Sequence, residues 1–357
     1  MKAIPKKMKA AVLFDYKDLR VVDNYDVPEP GPEEVLIRVR ACAICGSDPG
    51  IIAHGWENCP PMGSFIPGHE FAGEVAMCGS DITEFKIGDR VCVEPHKGCG
   101  HCINCIRGNY TTCLNYGNLA AGHRHYGFTC NGGYAEYCVV HRNCVHKFGR
   151  SLDFKDATLI TCAGTALYGI ERMGGIKMGE TVTVIGPGPI GLMAVQLVKI
   201  LGAGRVILVG TRNSRLEVGK QVGADVVINS REQDAVEEIR KLTGGVMSDA
   251  VVESSGSADA AAQAVQLCKK NGRIGLTGIY KLPVTMDLNK VVQWNMTIAG
   301  GKAEGDHVLD RLIPIMEQGR LQTKPILTHT FSLDQINEAM DTYVQRKGNA
   351  LKVCIIP

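Results

Sequence analysis

The sequence predicts an α/β protein with two domains, a mostly β domain followed by a domain built on a parallel sheet. Up to about Asp153, short β-type runs are separated by Gly and Pro and show little helical periodicity. After Ser151, strand-like and helix-like segments alternate, which is typical of βαβ units. Between one such strand and helix lies the turn Gly186-Pro-Gly-Pro-Ile-Gly191. A glycine-rich turn in this position predicts a doubly wound, Rossmann-type sheet.

The first domain contains two clear strand predictions, Glu34–Arg40 and Asp89–Val93. In the second domain, the apolar runs that predict strands are Thr181–Ile185, Arg205–Val209, Asp225–Ile228, Asp249–Glu253 and Gly272–Leu276. The helical patterns are Ile190–Leu201, Leu216–Val222 and, in the tail, His307–Gln318. The chain ends in an apolar run suited to a sheet, Leu351–Ile356. We therefore expect a first domain over 1–155, a second over 156–296, and a C-terminal segment over 297–357 that returns to the first domain.

Composition and charge exclude several classes of protein. The chain has 357 residues, is 45% hydrophobic and 21% charged, and carries 39 Lys and Arg against 37 Asp and Glu. A chain of this length buries a large core without disulfide support, so disorder, collagen and small secreted scaffolds are excluded. A net charge of +2 without a broad basic stripe offers no footprint for nucleic acid or an anionic membrane. The expected partners are small molecules.

Two segments bear on targeting. The basic N-terminus, Met1–Lys9, is followed by an apolar stretch too short for a signal peptide, so we expect a cytoplasmic protein. Thr181–Val198 is uncharged and, at about 18 residues, reaches the length of a transmembrane candidate. Its three glycines and two prolines favour a buried strand that turns into a helix instead.

Soft metal ligands are concentrated in the first domain, where 12 of the 15 cysteines lie at or before Cys144. Four of them are spaced by three, three and eight residues: Cys99, Cys102, Cys105 and Cys113. Four thiolates favour tetrahedral Zn²⁺, which neutralises part of their charge, and a site filled by sulfur is structural. Free cysteines or an iron–sulfur cluster are the alternatives. A nucleic-acid-binding zinc ribbon would need basic neighbours. Between Gly98 and Tyr116 the only potentially cationic residues are His101 and Arg107.

A second set of possible ligands is dispersed over three motifs. They are Cys45-Gly-Ser-Asp48, Gly68-His69-Glu70 and the segment Thr161-Cys162-Ala-Gly-Thr165. None of these motifs is decisive alone. Cys42-Ala-Ile-Cys45 also has the spacing of a redox pair, but it follows a β run rather than opening a helix, so we interpret Cys42 as a packing residue.

Together these motifs resemble the zinc-dependent medium-chain alcohol and polyol dehydrogenases. The signature Gly68-His-Glu-x-x-Gly73 continues with Gly79 and Gly88-Asp-Arg-Val91, and Gly132-Gly-Tyr-Ala-Glu-Tyr137 follows the four-cysteine segment in the family's order. The resemblance covers nearly the whole chain. It implies a GroES-like, mostly β catalytic domain together with the Rossmann domain, and two zinc ions per chain, one catalytic and one structural.

The resemblance assigns expected roles residue by residue. Cys45 and His69 match the catalytic zinc ligands, Glu70 the adjacent acid that ligates directly or through water, and Cys162 the third protein ligand. The sorbitol and threonine branches usually carry an acidic residue in place of Cys162. Ser47 resembles the hydroxyl that relays the alcohol proton.

The histidine that follows the relay hydroxyl in many family members is absent after Ser47. In many alcohol dehydrogenases a His stands three residues later, but that position is Gly50 here, and His54 is a candidate replacement or a surface residue. By resemblance to the threonine branch, His96 is a candidate for the substrate pocket. We interpret His123 and His125 as part of a solvated loop or a subunit contact, and Trp56 and Trp294 as core or pocket-wall residues.

The glycine turn predicts a dinucleotide site. Gly186 makes the turn, Gly188 lets the backbone approach a pyrophosphate, and Gly191 lets helix and strand pack closely. Ile190 in this turn and Thr165 are further candidates for cofactor contacts.

The end of the next strand bears on the choice between NADP and NAD. An NAD site usually has an acid there, whereas this strand is followed by Thr211, Arg212 and Arg215 without an acid. Guanidinium groups suit phosphate oxygens, so we expect NADP(H) to be preferred over NAD(H). Alternatively, both arginines are solvated and either cofactor is accepted.

The expected function is zinc-dependent hydride transfer between NADP(H) and a secondary alcohol or ketone, with a polyol or sugar alcohol as the expected substrate. Zn²⁺ would make a bound alcohol acidic near neutral pH. A threonine-type or simple alcohol dehydrogenase is the alternative among enzymes. A non-catalytic nucleotide-binding protein or a zinc-ribbon protein is the alternative of another class. The family resemblance also implies a homo-oligomer, a tetramer or dimer.

Overall fold

A computed structural model of the protein describes residues 4–357. The described chain forms two compact units, of which the first comprises residues 4–161 and Gly305–Pro357 and the second Cys162–Glu304. The sequence-based boundaries lie nearby, at 155 and 296. No helix within residues 4–357 is both long enough and apolar enough to span a membrane. The cytoplasmic location stays a prediction.

The strands of the described chain are, in order, β1 Lys7–Asp15, β2 Asp18–Asp26, β3 Glu34–Ala43, β4 Glu70–Cys78, β5 Arg90–Val93, β6 His96–Lys97, β7 Arg124–His125, β8 Tyr137–His141, β9 Val145–Lys147, β10 Thr181–Ile185, β11 Arg205–Gly210, β12 Val226–Asn229, β13 Ser248–Glu253, β14 Cys268–Leu276, β15 Thr297–Gly300, β16 Leu327–Ser332 and β17 Lys352–Ile356.

The α-helices of the same residues are α1 Asp48–His54, α2 Ile103–Ile106, α3 Phe154–Ala157, α4 Ile160–Arg172, α5 Pro189–Ile200, α6 Asn213–Gln221, α7 Ala235–Leu242, α8 Ala258–Leu267, α9 Leu288–Gln293, α10 Val308–Glu317 and α11 Ile336–Gln345. Short 3₁₀ turns lie at Tyr110–Thr112, Arg142–Cys144, Leu333–Gln335 and Lys347–Asn349.

The first unit is built around a sheet with the strand order β16-β17-β3-β4-β5-β9, in which β8 also pairs with β3. The C-terminal strand β17 runs antiparallel to β3, with Cys354 opposite Ala43. A buried apolar cluster covers this sheet and includes Leu36, Phe71 and Tyr134. The tail of the chain therefore adds strands to the same sheet in which Cys45 follows β3 and His69 precedes β4.

The second unit contains a parallel sheet with the order β12-β11-β10-β13-β14-β15 in the described chain. The first strand in sequence, β10, lies inside the sheet, and the order reverses between β10 and β13. This reversal is the topological switch point at which doubly wound sheets bind ligands. The predicted strand Thr181–Ile185 is confirmed with the same bounds.

The start of one predicted helix is wrong by three residues. Helix α6 begins at Asn213 rather than at Leu216. Its first turn is polar, so the apolar periodicity that predicts helices begins only at Leu216. As a consequence, Arg215 lies in the first turn of α6 instead of in the preceding loop.

Candidate active site

Three possible metal ligands come together where β3 ends and the neighbouring strand β4 begins. The ligand atoms of Cys45, His69 and Glu70 all lie within 4.8 Å of one another. Strands β3 and β4 are antiparallel, with Ala43 opposite Glu70, so the residues just after β3 meet those just before β4. Strand register therefore joins two motifs that are separate in the sequence.

Gly68 has a positive φ of 91° and packs directly against an aromatic ring. A Cβ at this position would lie 2.8 Å from ring atoms of Tyr134. Both the backbone conformation and the available space therefore require glycine before His69.

The buried carboxylate of Asp48 contacts both Cys45 and His69. Its Oδ2 accepts hydrogen bonds from the Cys45 amide and the Tyr134 hydroxyl, each at 2.7 Å. Its Oδ1 lies 3.4 Å from Nδ1 of His69. A carboxylate on one ring nitrogen leaves Nε2 as the metal-facing nitrogen, the arrangement usual for histidine ligands.

The charges around His69 favour its cationic form. Burial lowers the pKa of this imidazole, but the neighbouring Asp48 and Cys45 more than reverse that effect and raise the pKa well above its ordinary value. Protons and a metal ion would compete for this imidazole, so metal binding here would depend on pH.

Glu70 is paired with a residue that the sequence analysis missed. The Lys352 ammonium forms an ion pair with Glu70 Oε2, and both residues are only 2% exposed. Removing one partner of a buried pair typically costs about 3–5 kcal/mol. Lys352 is the single charge in the otherwise apolar run Leu351–Ile356. A lone charge in a predicted buried strand indicates a buried ion pair.

The other expected catalytic residues occupy defined positions, and their roles stay predictions. Ser47 precedes α1 and is half-buried, whereas His54 ends α1 and is exposed. Cys162 lies in α4, is buried, and is the first residue of the second unit. Within residues 4–357, the group formed by Cys45, His69 and Glu70 has no fourth member.

The four cysteines of the predicted structural site also converge. The sulfur atoms of Cys99, Cys102, Cys105 and Cys113 lie within 4.8 Å of one another. Burial opposes ionisation of Cys99, but N–H groups, among them that of Cys102 at 3.3 Å, lower its pKa to about 5. The His101 ring instead contacts the Cys99 carbonyl, at 3.1 Å.

The prediction for His123 and His125 is wrong, because both side chains are buried. Strands β6 and β7 pair His96 with His125, and the two rings stack. His123 Nε2 lies 3.2 Å from His96 Nε2. Short strands with little apolar character give no pattern that reveals this pairing in the sequence.

An aromatic wall connects these histidines to the metal-ligand group. Phe128 stacks on His125 at 3.8 Å between centroids and contacts the His69 ring at 4.6 Å. Trp56, which is 38% exposed, meets the edge of Phe128 and donates a hydrogen bond to Tyr116. These contacts and this exposure favour the interpretation of Trp56 as a pocket-wall residue over its interpretation as a core residue.

The glycine turn of the second unit has the geometry of a dinucleotide cradle. Gly186 has a φ of 100°, and a Cβ on Gly191 would lie 1.9 Å from the Gly186 carbonyl oxygen. At Gly188, the first residue before α5, a Cβ would meet nothing within 4 Å. The first and third glycines are required by packing, while the second borders open space beside a helix N-terminus.

The loop after β11 and the first turn of α6 contain the residues expected to contact the cofactor ribose. Thr211 is exposed, Arg212 directly precedes α6, and Arg215 lies in its first turn. An acidic group reaches the same helix end from another loop, because Asn213 Nδ2 donates to Glu232 at 2.9 Å. Thr165 donates to Glu304 at 3.1 Å, and Ile190 is half-buried at the start of α5.

The residues present fit the expected cofactors. Sulfur, imidazole nitrogen and carboxylate oxygen are ligands that zinc accepts, and four sulfurs suit a structural zinc. A glycine that borders open space at a helix N-terminus suits a pyrophosphate.

Comparisons with known proteins agree with this site. Residues 31–150 match the alcohol dehydrogenase GroES-like domain, and residues 189–317 match the zinc-binding dehydrogenase family. The chain is 33% identical to sorbitol dehydrogenase of Bacillus subtilis (strain 168), over 99% of this chain and 98% of that protein. It is 36% identical to L-threonine 3-dehydrogenase of Pyrococcus horikoshii, over 92% of each chain.

Among solved structures, the chain is similar to a putative zinc-binding dehydrogenase from Sinorhizobium meliloti 1021 bound to NADP. The TM-score is 0.90 at 28% identity, over 99% of this chain and 100% of the other. With its GroES-like and parallel-sheet domains, the chain belongs to the zinc-type medium-chain dehydrogenase family and is an NAD(P)-dependent enzyme of the alcohol dehydrogenase type.

Proposed function

We propose that this enzyme oxidises a secondary alcohol, with a polyol or sugar alcohol as the substrate class, and that it prefers NADP(H). The observation that carries the proposal is the convergence of Cys45, His69 and Glu70 within 4.8 Å. Cys162 is the further ligand expected from family resemblance. The four-cysteine group would hold a second, structural zinc.

The proposed mechanism assigns one task to each residue. When bound by Cys45, His69 and the further expected ligands, zinc would supply Lewis acidity, and a nicotinamide held at the glycine turn would supply hydride-transfer chemistry. The Ser47 hydroxyl takes the alcohol proton and passes it on, with His54 as the candidate next acceptor. Asp48 orients His69, and Lys352 compensates the charge of Glu70.

The preference for NADP(H) is supported by Thr211, Arg212 and Arg215, which surround the start of α6. Two guanidinium groups there can bind a 2′-phosphate. Glu232 at the same helix end favours the competing possibility, in which both cofactors are used.

The substrate class is supported by the similarity to sorbitol dehydrogenase, and the alternative is supported by the similarity to L-threonine 3-dehydrogenase. Both substrates named there carry a secondary hydroxyl group. A panel of polyols, hydroxy amino acids and simple secondary alcohols, assayed by reduced-nicotinamide absorbance with NADP⁺ and NAD⁺ in parallel, tests the proposal. We expect a chelator-sensitive signal that is strongest with a polyol and NADP⁺. No signal from folded, zinc-loaded enzyme would contradict it.

A homo-oligomer, a dimer or tetramer, is part of the proposal. Strand β15 ends the sheet order of the second unit, and in the segment between β14 and β15 four apolar residues are 67–82% exposed: Ile279, Leu282, Leu288 and Val292. A second copy of the chain would cover such a surface. Sedimentation of the enzyme tests this, and a monomer at micromolar concentration would contradict it.

A further inference from the structure

Tyr134 is fully buried in the first unit, yet it carries a polar hydroxyl into the apolar core. The hydroxyl donates to Asp48 Oδ2 at 2.7 Å, and the ring is 0% exposed. Burial, together with the nearby negative charge of Asp48, raises the pKa of this phenol well above its ordinary value, so it remains a donor. A hydrogen bond to a carboxylate is stronger than one between neutral groups.

This hydrogen bond fixes the orientation of the carboxylate. Oδ2 of Asp48 accepts two bonds of 2.7 Å, one from Tyr134 and one from the Cys45 amide. Oδ1 is thereby turned toward His69 Nδ1, at 3.4 Å. Within residues 4–357, both Oδ1 and Nδ1 are buried and neither forms a closer hydrogen bond with another group, so their 3.4 Å approach is the contact available to them.

The ring of Tyr134 also touches the backbone that carries His69. A Cβ on Gly68 would lie 2.8 Å from two ring carbons of Tyr134. Tyr134 thus contacts the peptide before His69 with its ring and the carboxylate facing His69 with its hydroxyl. One side chain is thus in contact with both.

We propose that Tyr134 is a positioning residue of the catalytic metal site, whose hydroxyl holds Asp48 so that His69 presents Nε2 to the zinc ion. The inference rests on the proposed zinc site at Cys45 and His69. Its chain of contacts involves only residues of the first unit.

Zinc release from the Tyr134→Phe variant tests the proposal. This substitution removes only the hydroxyl and keeps the ring that packs against Gly68. Release is followed with a chromophoric chelator, and the four-cysteine site in the same molecule is the internal reference. Loss of an outer partner typically weakens metal binding about 10–100-fold, so we expect release from the Cys45/His69 site to be about tenfold faster. The cobalt-substituted variant should also show a shifted absorption band.

Tyr126→Phe is the matched control. Tyr126 is equally buried in the same core, but its oxygen accepts a bond from the His141 amide, at 2.8 Å. We expect this variant to lose stability without faster zinc release. If Tyr134→Phe melts like Tyr126→Phe but releases both metals at the wild-type rates, the proposal is overturned.

Asp48→Asn provides a second test that does not depend on the folding of Tyr134→Phe. It should also accelerate release about tenfold or more, and adding Tyr134→Phe should then have little further effect because both changes break the same link. Independent, multiplying effects, or no effect of Asp48→Asn, would reject the link. A wild-type protein that binds zinc only at the four cysteines would refute the proposed zinc site itself, which is a distinguishable result.

Discussion

Single residues in this site act through buried polar contacts whose partners are distant in the chain. Lys352, near the end of the chain, forms an ion pair with Glu70, and the Tyr134 hydroxyl donates a hydrogen bond to Asp48. A buried charge or hydroxyl is tolerated only when it has such a partner. The side chains around the candidate zinc ligands are therefore sensitive to changes that would be harmless at the surface.

At Ser47, we expect substitution by Ala to reduce kcat while zinc is retained. Loss of a proton-transfer group typically costs about 10²–10⁴-fold in rate. The measurements are steady-state kcat and zinc content, with Ser80→Ala as an exposed control. A near-normal rate for Ser47→Ala would show that the proton leaves by another route.

At the start of α6, the double variant Arg212→Gln and Arg215→Gln should lower kcat/KM for NADP⁺ by about tenfold or more and leave NAD⁺ nearly unaffected. Each charge-assisted bond to phosphate contributes about 1.5–3 kcal/mol. Arg240→Gln, which removes an exposed arginine of α7 in the same unit, is the control. Equal losses with both cofactors would contradict a role in phosphate recognition.

At the scale of elements, strand register and helix docking assemble the first unit. His146 Nδ1 of β9 donates a hydrogen bond to Asp310 Oδ1 of α10 at 2.8 Å, and its Nε2 lies 3.6 Å from Glu94. Burial lowers the pKa of His146, but Glu94 and Asp310 outweigh this and raise it above its ordinary value. The imidazole therefore joins α10 to the sheet, and its two acidic neighbours favour its protonated form.

We expect this contact to stabilise the protein more in mild acid than in alkali. Because the pKa of His146 is higher in the folded state, its contribution is fully present below the unfolded value of about 6.5 and is lost as pH rises through the folded value. The melting-temperature difference between wild type and His146→Gln should be larger at about pH 6 than at about pH 9. His329→Gln, at a half-buried position in β16, is the control. A difference that grows toward alkaline pH would contradict the assignment.

At the scale of the whole molecule, the candidate metal ligands Cys45, His69 and Glu70 lie in the first unit and the glycine turn lies in the second. We expect chelator-treated protein to lose turnover but to keep binding NADPH, as measured by NADPH fluorescence, because the two sites use different residues. Added Zn²⁺ should restore turnover. Loss of NADPH binding in folded, zinc-free protein would contradict this separation.

Much of the second unit could be predicted from the sequence alone. Apolar runs alternating with helical periods identify parallel strands, and the turn at Gly186 marks the cofactor loop, because these signals depend on residues close together in the chain. For the same reason, the spacing of Cys99, Cys102, Cys105 and Cys113 was sufficient to predict their convergence. The start of α6 was missed because its first turn has no apolar period.

The sequence by itself determined the fold class, the family and the types of ligand that this protein carries, since all of these are encoded in local patterns. The tertiary structure alone decided that Ala43 faces Glu70, that Lys352 neutralises Glu70, and that His123 and His125 are buried. These contacts depend on strand order and register between distant segments, and a one-residue change of register would place every side chain of a strand on the opposite face.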